Sequence, residues 1–420
     1  MKRRLIWWLS LLTLALVATT SLAWSAMSHV EQVTVLMPAP FAESTSALVE
    51  QFNRDHRGRI HLDVTSGPRD TEAMSDLAIS SLLLGDPPYD ALLIDVTWLP
   101  KYAAAGWLEP LDSYFGPDEE ATLIKGARQG NRYDSRLYRW PFNADVGLLY
   151  WRTDLMDAPP QTPAELLAIS QKLIDAKVVN TGFVWQGRQY EGLSCDALEI
   201  IRGFGGRWIE TDGTPALSSD AVNRAVTWMA ELIRSGVSPR AVTNYAETES
   251  LQAFKAGDAA LMRNWPYAWA ELQKDDSAVR GQIGITTMVA EPGESPVSTL
   301  GSWGLSILQG SDHPQATVQA IRYLTDASAQ KQRFLIQGYT PTAEALYADP
   351  ELLAVAPHLP QLAQALELAT PRPPTPLYAQ ISDVLQRQLS GVLTGDQSSV
   401  DGLERAQTTT STILQSAGGD

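Results

Sequence analysis

Arg263 to Leu272 read "RNWPYAWAEL", which brings Trp265, Tyr267 and Trp269 within five residues. Flat aromatic faces stack on apolar ring faces, while acids, amides and Arg hydrogen-bond hydroxyls, so the two together suit a ligand with a ring face and a hydroxyl rim. The supply is large: 13 Trp against 8 Phe, ten of the Trp beyond Ala26. "ALMRN" reads as a strand and "PYAWAEL" as a helix that Pro266 can begin, which puts Trp265 under a ring and Tyr267 at its edge. Trp269 lies about 200° round that helix from Tyr267 and reads as core. Trp303 in "GSWG" has glycine on both sides, letting backbone approach a ligand closely, with packing as its rival role. Asp95 ends the apolar run "ALLID" and can accept two hydroxyls in charge-assisted bonds of about 1.5–3 kcal/mol each before desolvation; a helix N-cap is its alternative. Trp98, Trp107, Trp140, Trp151 and Trp228 read as packing residues.

Other chemistry is missing. The chain has no GxSxG, HExxH, Walker A or GxGxxG motif, and His29, His56, His61, His313 and His358 are scattered. No metal, cofactor or catalytic residue is expected. Cys195, the single cysteine, rules out an intrachain disulfide and sits in an apolar helical pattern, "GLSCDALEIIRGFGG", that reads as a buried thiol. A glycosidase pairs its carboxylates in space and not in sequence, so 48 acids leave a secreted enzyme acting on α-glucosides as the rival function. A net charge of −16 argues against nucleic acid and anionic membrane surfaces.

The elements that must position these residues follow from pattern. At 420 residues two domains are expected. Residues 1–26 have a basic start, an apolar run from Leu5 to Val17 and small residues after it, the layout of a signal peptide. Cleavage after Ala23, cleavage after Ala26 and retention as an anchor remain open, although the run is shorter than the roughly 20 residues a span needs. The mature chain is expected to be soluble, in a periplasm or outside the cell. Val33–Met37, Ile60–Val64 and Tyr89–Val96 read as strands alternating with helices, the pattern of a parallel sheet whose ligands sit beyond the strand C-termini. A helix-rich region follows, with Thr162, Pro163 and Glu165 forming a capping box, Ser218 or Ser219 capping the next helix, and Ser311 capping a helical stretch to Gly338.

Five stretches in this order carry a resemblance: Tyr89–Asp112, "PFNADVGLLYWRTDLM" from Pro141, Glu249–Leu272, "LGSWGLSI" from Leu300 and "GYTPT" from Gly338. Together they resemble the family 1 extracellular solute-binding proteins of ABC importers, of the maltose and trehalose type, over nearly all the mature length. The resemblance implies an α/β two-lobe periplasmic-binding-protein fold with a hinge and an interlobe ligand cleft. It implies one lobe from residues 27–140 plus 281–338 and another from 141–280 plus 339–420. Hinge segments are expected at Trp140–Gly147, Ala278–Thr299 and near Tyr339. The implied role is non-enzymatic: a monomer captures a small sugar, such as trehalose, maltose, sucrose or glucosylglycerol, and delivers it to the permease subunits. It also implies ligand contacts at Asn143, at Glu247 in preference to Glu249, and at Arg372, beside Glu43, Asp95, Trp265, Tyr267 and Trp303. The sequence departs from the family pattern at "PAPFAES", after the first strand.

Overall fold

The computed structural model describes residues 30–85 and 87–417. Its first sheet runs Ile60–Gly67, Glu31–Pro38, Ala91–Asp95, Trp303–Ile307, Trp140–Pro141. The first three strands are parallel, and Trp303–Ile307 lies antiparallel against Ala91–Asp95, with Trp303 opposite Asp95. Side chains alternate across this sheet, as the two-residue period requires. Val33, Val35 and Met37 share a core with Leu48 and Phe52 of helix Ala39–Asp55, whereas Leu36 packs with Met74, Ala78 and Leu82 of helix Thr71–Leu83. That layering buries both faces.

The second sheet runs Ile283–Thr286, Leu148–Arg152, Ala259–Asn264, Thr181–Val184. Helices Pro163–Asp175, Glu191–Gly203 and Asp220–Arg234 cover it, together with Tyr378–Thr394 and Ser399–Ala417 from the chain's end. The capping box at Thr162 is formed: Thr162 Oγ1 accepts from Glu165 N at 3.2 Å, and Glu165 Oε2 accepts from Thr162 N at 3.3 Å. Ser219, and not Ser218, caps the helix from Asp220.

A small third sheet joins the two large ones: Ala369–Thr370, Ser298–Gly301 and Asp145–Val146 lie side by side. The result is a two-lobe α/β architecture with three crossing segments between its main sheets. Two buried arginines brace the crossings. Arg139 Nη2 donates to Ser302 Oγ at 2.8 Å, and Arg333 Nη2 donates to Phe142 O at 3.2 Å. Burial pulls both guanidinium groups down to a pKa of about 9.

Three expectations differ from these observations. Ile283–Thr286 pairs antiparallel with Leu148–Arg152, so the return to the first sheet begins at Trp303 and not near Gly281; strand pairing over such separations has no local signature. The third crossing strand is Ala369–Thr370, while Thr340 O only accepts from Ala144 N at 3.3 Å beside it. The stretch after Tyr339 also binds first-lobe backbone, where Ile124 N donates to Thr342 O and Glu344 N to Thr122 O. Ser311 caps nothing helical: its hydroxyl donates to Asp90 Oδ1 at 2.6 Å and the helix starts at Pro314. The amino-terminal segment read as a signal peptide lies outside the described residues.

Candidate functional site

Both large sheets end their parallel strands toward one region, so the loops after Pro38, Gly67, Asp95, Val184 and Asn264 collect the polar side chains. At its depth lies Arg372. Its Nη2 donates to Asp95 Oδ1 at 3.2 Å and its Nη1 to Glu191 Oε1 at 2.6 Å, so one buried guanidinium links the first sheet to a helix of the second. Asp95 Oδ1 also accepts from Thr97 N at 2.9 Å and Thr97 Oγ1 at 2.7 Å, an Asx turn and not a helix cap. Glu191 Oε1 takes a further bond from Tyr378 OH at 2.5 Å, and Glu191 Oε2 one from Ser382 Oγ at 2.7 Å. Arg372 Nε has no partner in this network.

Asn143 and Trp303 meet at the hinge. Asn143 Oδ1 accepts from Trp303 N at 2.9 Å, and Asn143 Nδ2 donates to Asp145 Oδ2 at 2.7 Å, so the buried amide already works within the protein. Asp145 Oδ1 lacks a partner. Burial raises the Asp145 carboxyl to about 7, against the lowering effect of the bond from Asn143. The Trp303 ring packs at 5.3 Å from both Trp98 and Phe41. Phe41 also lies 4.9 Å from Tyr339, so the residue in the departing "PAPFAES" stretch is the hub of an aromatic cluster.

On the second lobe, Trp265 Nε1 donates to Glu247 Oε1 at 3.2 Å, and both side chains are half-buried. Glu249 instead turns back to accept from Ala246 N at 2.9 Å, a first-turn role. Tyr267 precedes the short helix Ala268–Leu272. Burial, then Glu247, Glu271, Tyr339 and Asp145, raise its hydroxyl pKa, so it remains a donor. Trp269 faces elsewhere, stacked on His358 with centroids 3.7 Å apart, and burial lowers that imidazole to about 3. Cys195 is buried, and burial pushes its thiol pKa up, so it offers no thiolate. No group of His, Cys, Asp or Glu among the described residues is arranged to hold a metal.

Of the expected residues, Asp95 and Arg372 are directly bonded, as are Glu247 and Trp265, and Asn143 and Trp303. Glu43 stands apart, exposed and paired with Arg69 at 2.8 Å. Sequence reasoning passed over Phe41, Glu191 and the exposed pair Asp70–Arg188, 3.9 Å apart, in which Arg188 also lies 4.4 Å over the Tyr190 ring, and it gave Tyr339 only a place near the hinge. The start of "YEGL" before an apolar helix was the only available signal for Tyr190 and Glu191.

The model of the bacterial extracellular solute-binding protein family matches residues 38–331. The chain belongs to this family. A probable ABC transporter-binding protein of Deinococcus radiodurans is 34% identical over 78% of this chain and 80% of its own length. A mannitol-binding protein of Pseudomonas aeruginosa is 24% identical over 79% of this chain and 81% of its own. Among solved structures, the maltose-bound MalE3 of T. maritima superposes with a TM-score of 0.85 at 30% identity, over 91% of this chain and 99% of that one. Family members bind solutes and are not enzymes, so this chain is a solute-binding protein and not a glycosidase. No helix among the described residues is long and apolar enough to cross a membrane.

Proposed function

We propose that this solute-binding protein captures a small sugar, a disaccharide or glucosylated polyol such as maltose, trehalose, sucrose or glucosylglycerol, and hands it to the permease of an ABC importer. The observation that carries the reading is the half-buried indole of Trp265, fixed at its edge by Glu247, together with Asp95 and Arg372 bonded to each other between the two sheets. Maltose in the similar MalE3 and the mannitol named for the Pseudomonas relative support a polyhydroxylated ligand. Trp265 stacks on a ring face; Tyr267 and Trp303 flank it; Asp95, Glu247 and Arg372 bond hydroxyls, and Glu43 joins them only by leaving Arg69. Asn143 acts through Trp303 and Asp145, since its amide is already engaged.

Closure follows from where these groups sit. A sugar touching residues of both sheets gains its full set of bonds only when the lobes meet, so its differential affinity for the closed state drives the hinge. Micromolar binding, about 8 kcal/mol, needs only a few charge-assisted bonds and one stacked ring after ordering costs. The protein works as a monomer, exported by residues 1–26. Calorimetry with maltose, trehalose, sucrose, glucosylglycerol, mannitol and a set of non-sugars tests the reading. Heat from at least one sugar is expected; heat from non-sugars alone overturns it.

A further inference from the structure

Strand Ala259–Asn264 carries a fully buried Arg263 two residues before Trp265. A charge in that position costs several kcal/mol in desolvation unless every donor is used. Here each of the three guanidinium nitrogens has a partner. Arg263 Nε and Nη2 form a fork onto Glu199, at 3.0 and 2.5 Å, and Nη1 donates to Gln186 Oε1 at 3.1 Å. Gln186 returns the bond, Nε2 to Arg263 O at 2.9 Å, and Asp196 Oδ1 stands 2.9 Å from Nε as a second buried carboxylate. This clamp fixes the plane of the guanidinium, and the Arg263 Cζ lies 4.1 Å from the centre of the Trp265 ring.

The same cluster is tied to the crossing strands. Glu199 Oε1 accepts from Thr299 N at 3.1 Å, and Thr299 Oγ1 donates to Cys195 O at 2.9 Å. Two glycines leave the space it needs. A Cβ on Gly147 would fall 1.7 Å from Glu199 Oε1 and 2.4 Å from Arg263 Nη2, and a Cβ on Gly301 would fall 2.7 Å from the Trp265 ring. Gly147 and Gly301 both belong to segments that cross between the sheets.

We infer that Arg263 is a positioning residue for Trp265: held by Glu199, Asp196 and Gln186 and registered to the crossing strands through Thr299, its guanidinium backs one indole face so that the other is presented to the ligand. The inference rests on the reading of Trp265 as the sugar platform. Three neighbours of the indole are then accounted for: Arg263 over one face, Gly301 close against the benzo carbons and Glu247 on Nε1. Arg is needed for this and Lys is not equivalent, because only a planar fork can bind Glu199 with two nitrogens and stack at once.

The test uses the full chain labelled with [15N]tryptophan, with the Trp265 indole N–H resonance identified by its loss in Trp265→Phe. Arg263→Lys keeps the buried charge and loses the plane. It is expected to shift or broaden the Trp265 resonance and to weaken maltose binding, measured by calorimetry, at least tenfold. An Arg263 that merely supports the fold would lower the melting temperature in Arg263→Lys and leave the resonance and the affinity unchanged, which overturns the inference. If Arg263→Lys does not fold, Gln186→Ala, which removes only the Nη1 partner, is read in the same two ways. A displaced resonance with unchanged maltose affinity overturns Trp265 as the platform. Wild-type protein that binds no sugar at all overturns the sugar reading, while the resonance still decides the position of the indole.

Discussion

Two buried arginines in this molecule each hold a pair of carboxylates, and they differ in where the carboxylates come from. Arg263 takes Asp196 and Glu199, both on helix Glu191–Gly203. Arg372 takes Glu191 from the start of that same helix and Asp95 from the end of a first-sheet strand. The first set lies within one lobe and is closed to water, so it holds a surface in one geometry. The second spans the lobes and keeps one unpartnered donor, Arg372 Nε, so under the proposed hinge movement its bonds change with how far the cleft is shut. One helix thus carries a static anchor on its middle turns and a conformation-dependent bond at its tip.

Breaking the static member has the largest expected effect. Arg263→Met leaves two buried acids facing each other, and thermal or urea unfolding should report a loss of about 3–5 kcal/mol. Trp269→Ala comes next. Its ring packs on His358 away from the acids around Trp265, so about 2–3 kcal/mol should be lost, somewhat less than for a fully buried Trp, with maltose affinity nearly unchanged in the folded fraction. Trp265→Ala should show the reverse: weaker binding with a smaller change in melting temperature. If the two variants behave alike, the division of "RNWPYAWAEL" into platform and wall is wrong.

The separation of Trp269 from Tyr267 was legible in the sequence because helical spacing puts positions 267 and 269 more than half a turn apart, and a local rule sufficed. The first three strands, their crossover helices and the Thr162 box were legible for the same reason. The candidate residues Asp95, Asn143, Glu247, Trp265, Trp303 and Arg372 came from pattern and resemblance, but their mutual bonds did not: Asp95 and Arg372 are 277 positions apart. Arg263 passed unremarked inside "ALMRN", where an Arg after four apolar strand residues was the one available sign of a buried partner. Ile283–Thr286 was assigned to the wrong sheet because nothing near it specifies which strand it joins.

For the conformation-dependent member, Arg372→Met should cost about 1–2 kcal/mol of stability, because Asp95 and Glu191 retain bonds from Thr97, Tyr378 and Ser382. Its effect on sugar affinity should be larger, about tenfold or more. A stability loss as great as that of Arg263→Met would erase the contrast between the two arginines.

A pH profile sharpens the same contrast at the hinge. Asp145 titrates in the folded state at about 7 against an ordinary 3.8, so the native protein holds a proton that the unfolded chain sheds. The sign is fixed by linkage: this contribution is complete below the unfolded value and is lost as pH rises through the folded one. Asp145→Asn removes the titration. The melting temperature of wild type minus that of Asp145→Asn should therefore fall from pH 5 to pH 8, and a flat difference would mean that Asp145 is solvated in the free protein.

The smallest effect is expected at Asp70–Arg188, a third charge pair that joins the loops of the two sheets. These loops follow Ile60–Gly67 and Thr181–Val184, the edge strands farthest in sheet order from Trp140–Pro141 and Ile283–Thr286. The pair therefore bridges the lobes as Arg372 does, but at 3.9 Å and with both side chains about half exposed. Exposed pairs contribute about 0–1 kcal/mol, and salt screens them within roughly 10 Å at 0.1 M. Arg188→Ala should weaken maltose binding no more than about threefold at low salt, and the difference should vanish near 1 M salt. A tenfold loss that persists at high salt would give Arg188 a direct ligand contact through its position over Tyr190, and the closure-sensitive network would then extend from Arg372 to the outer edge of the cleft.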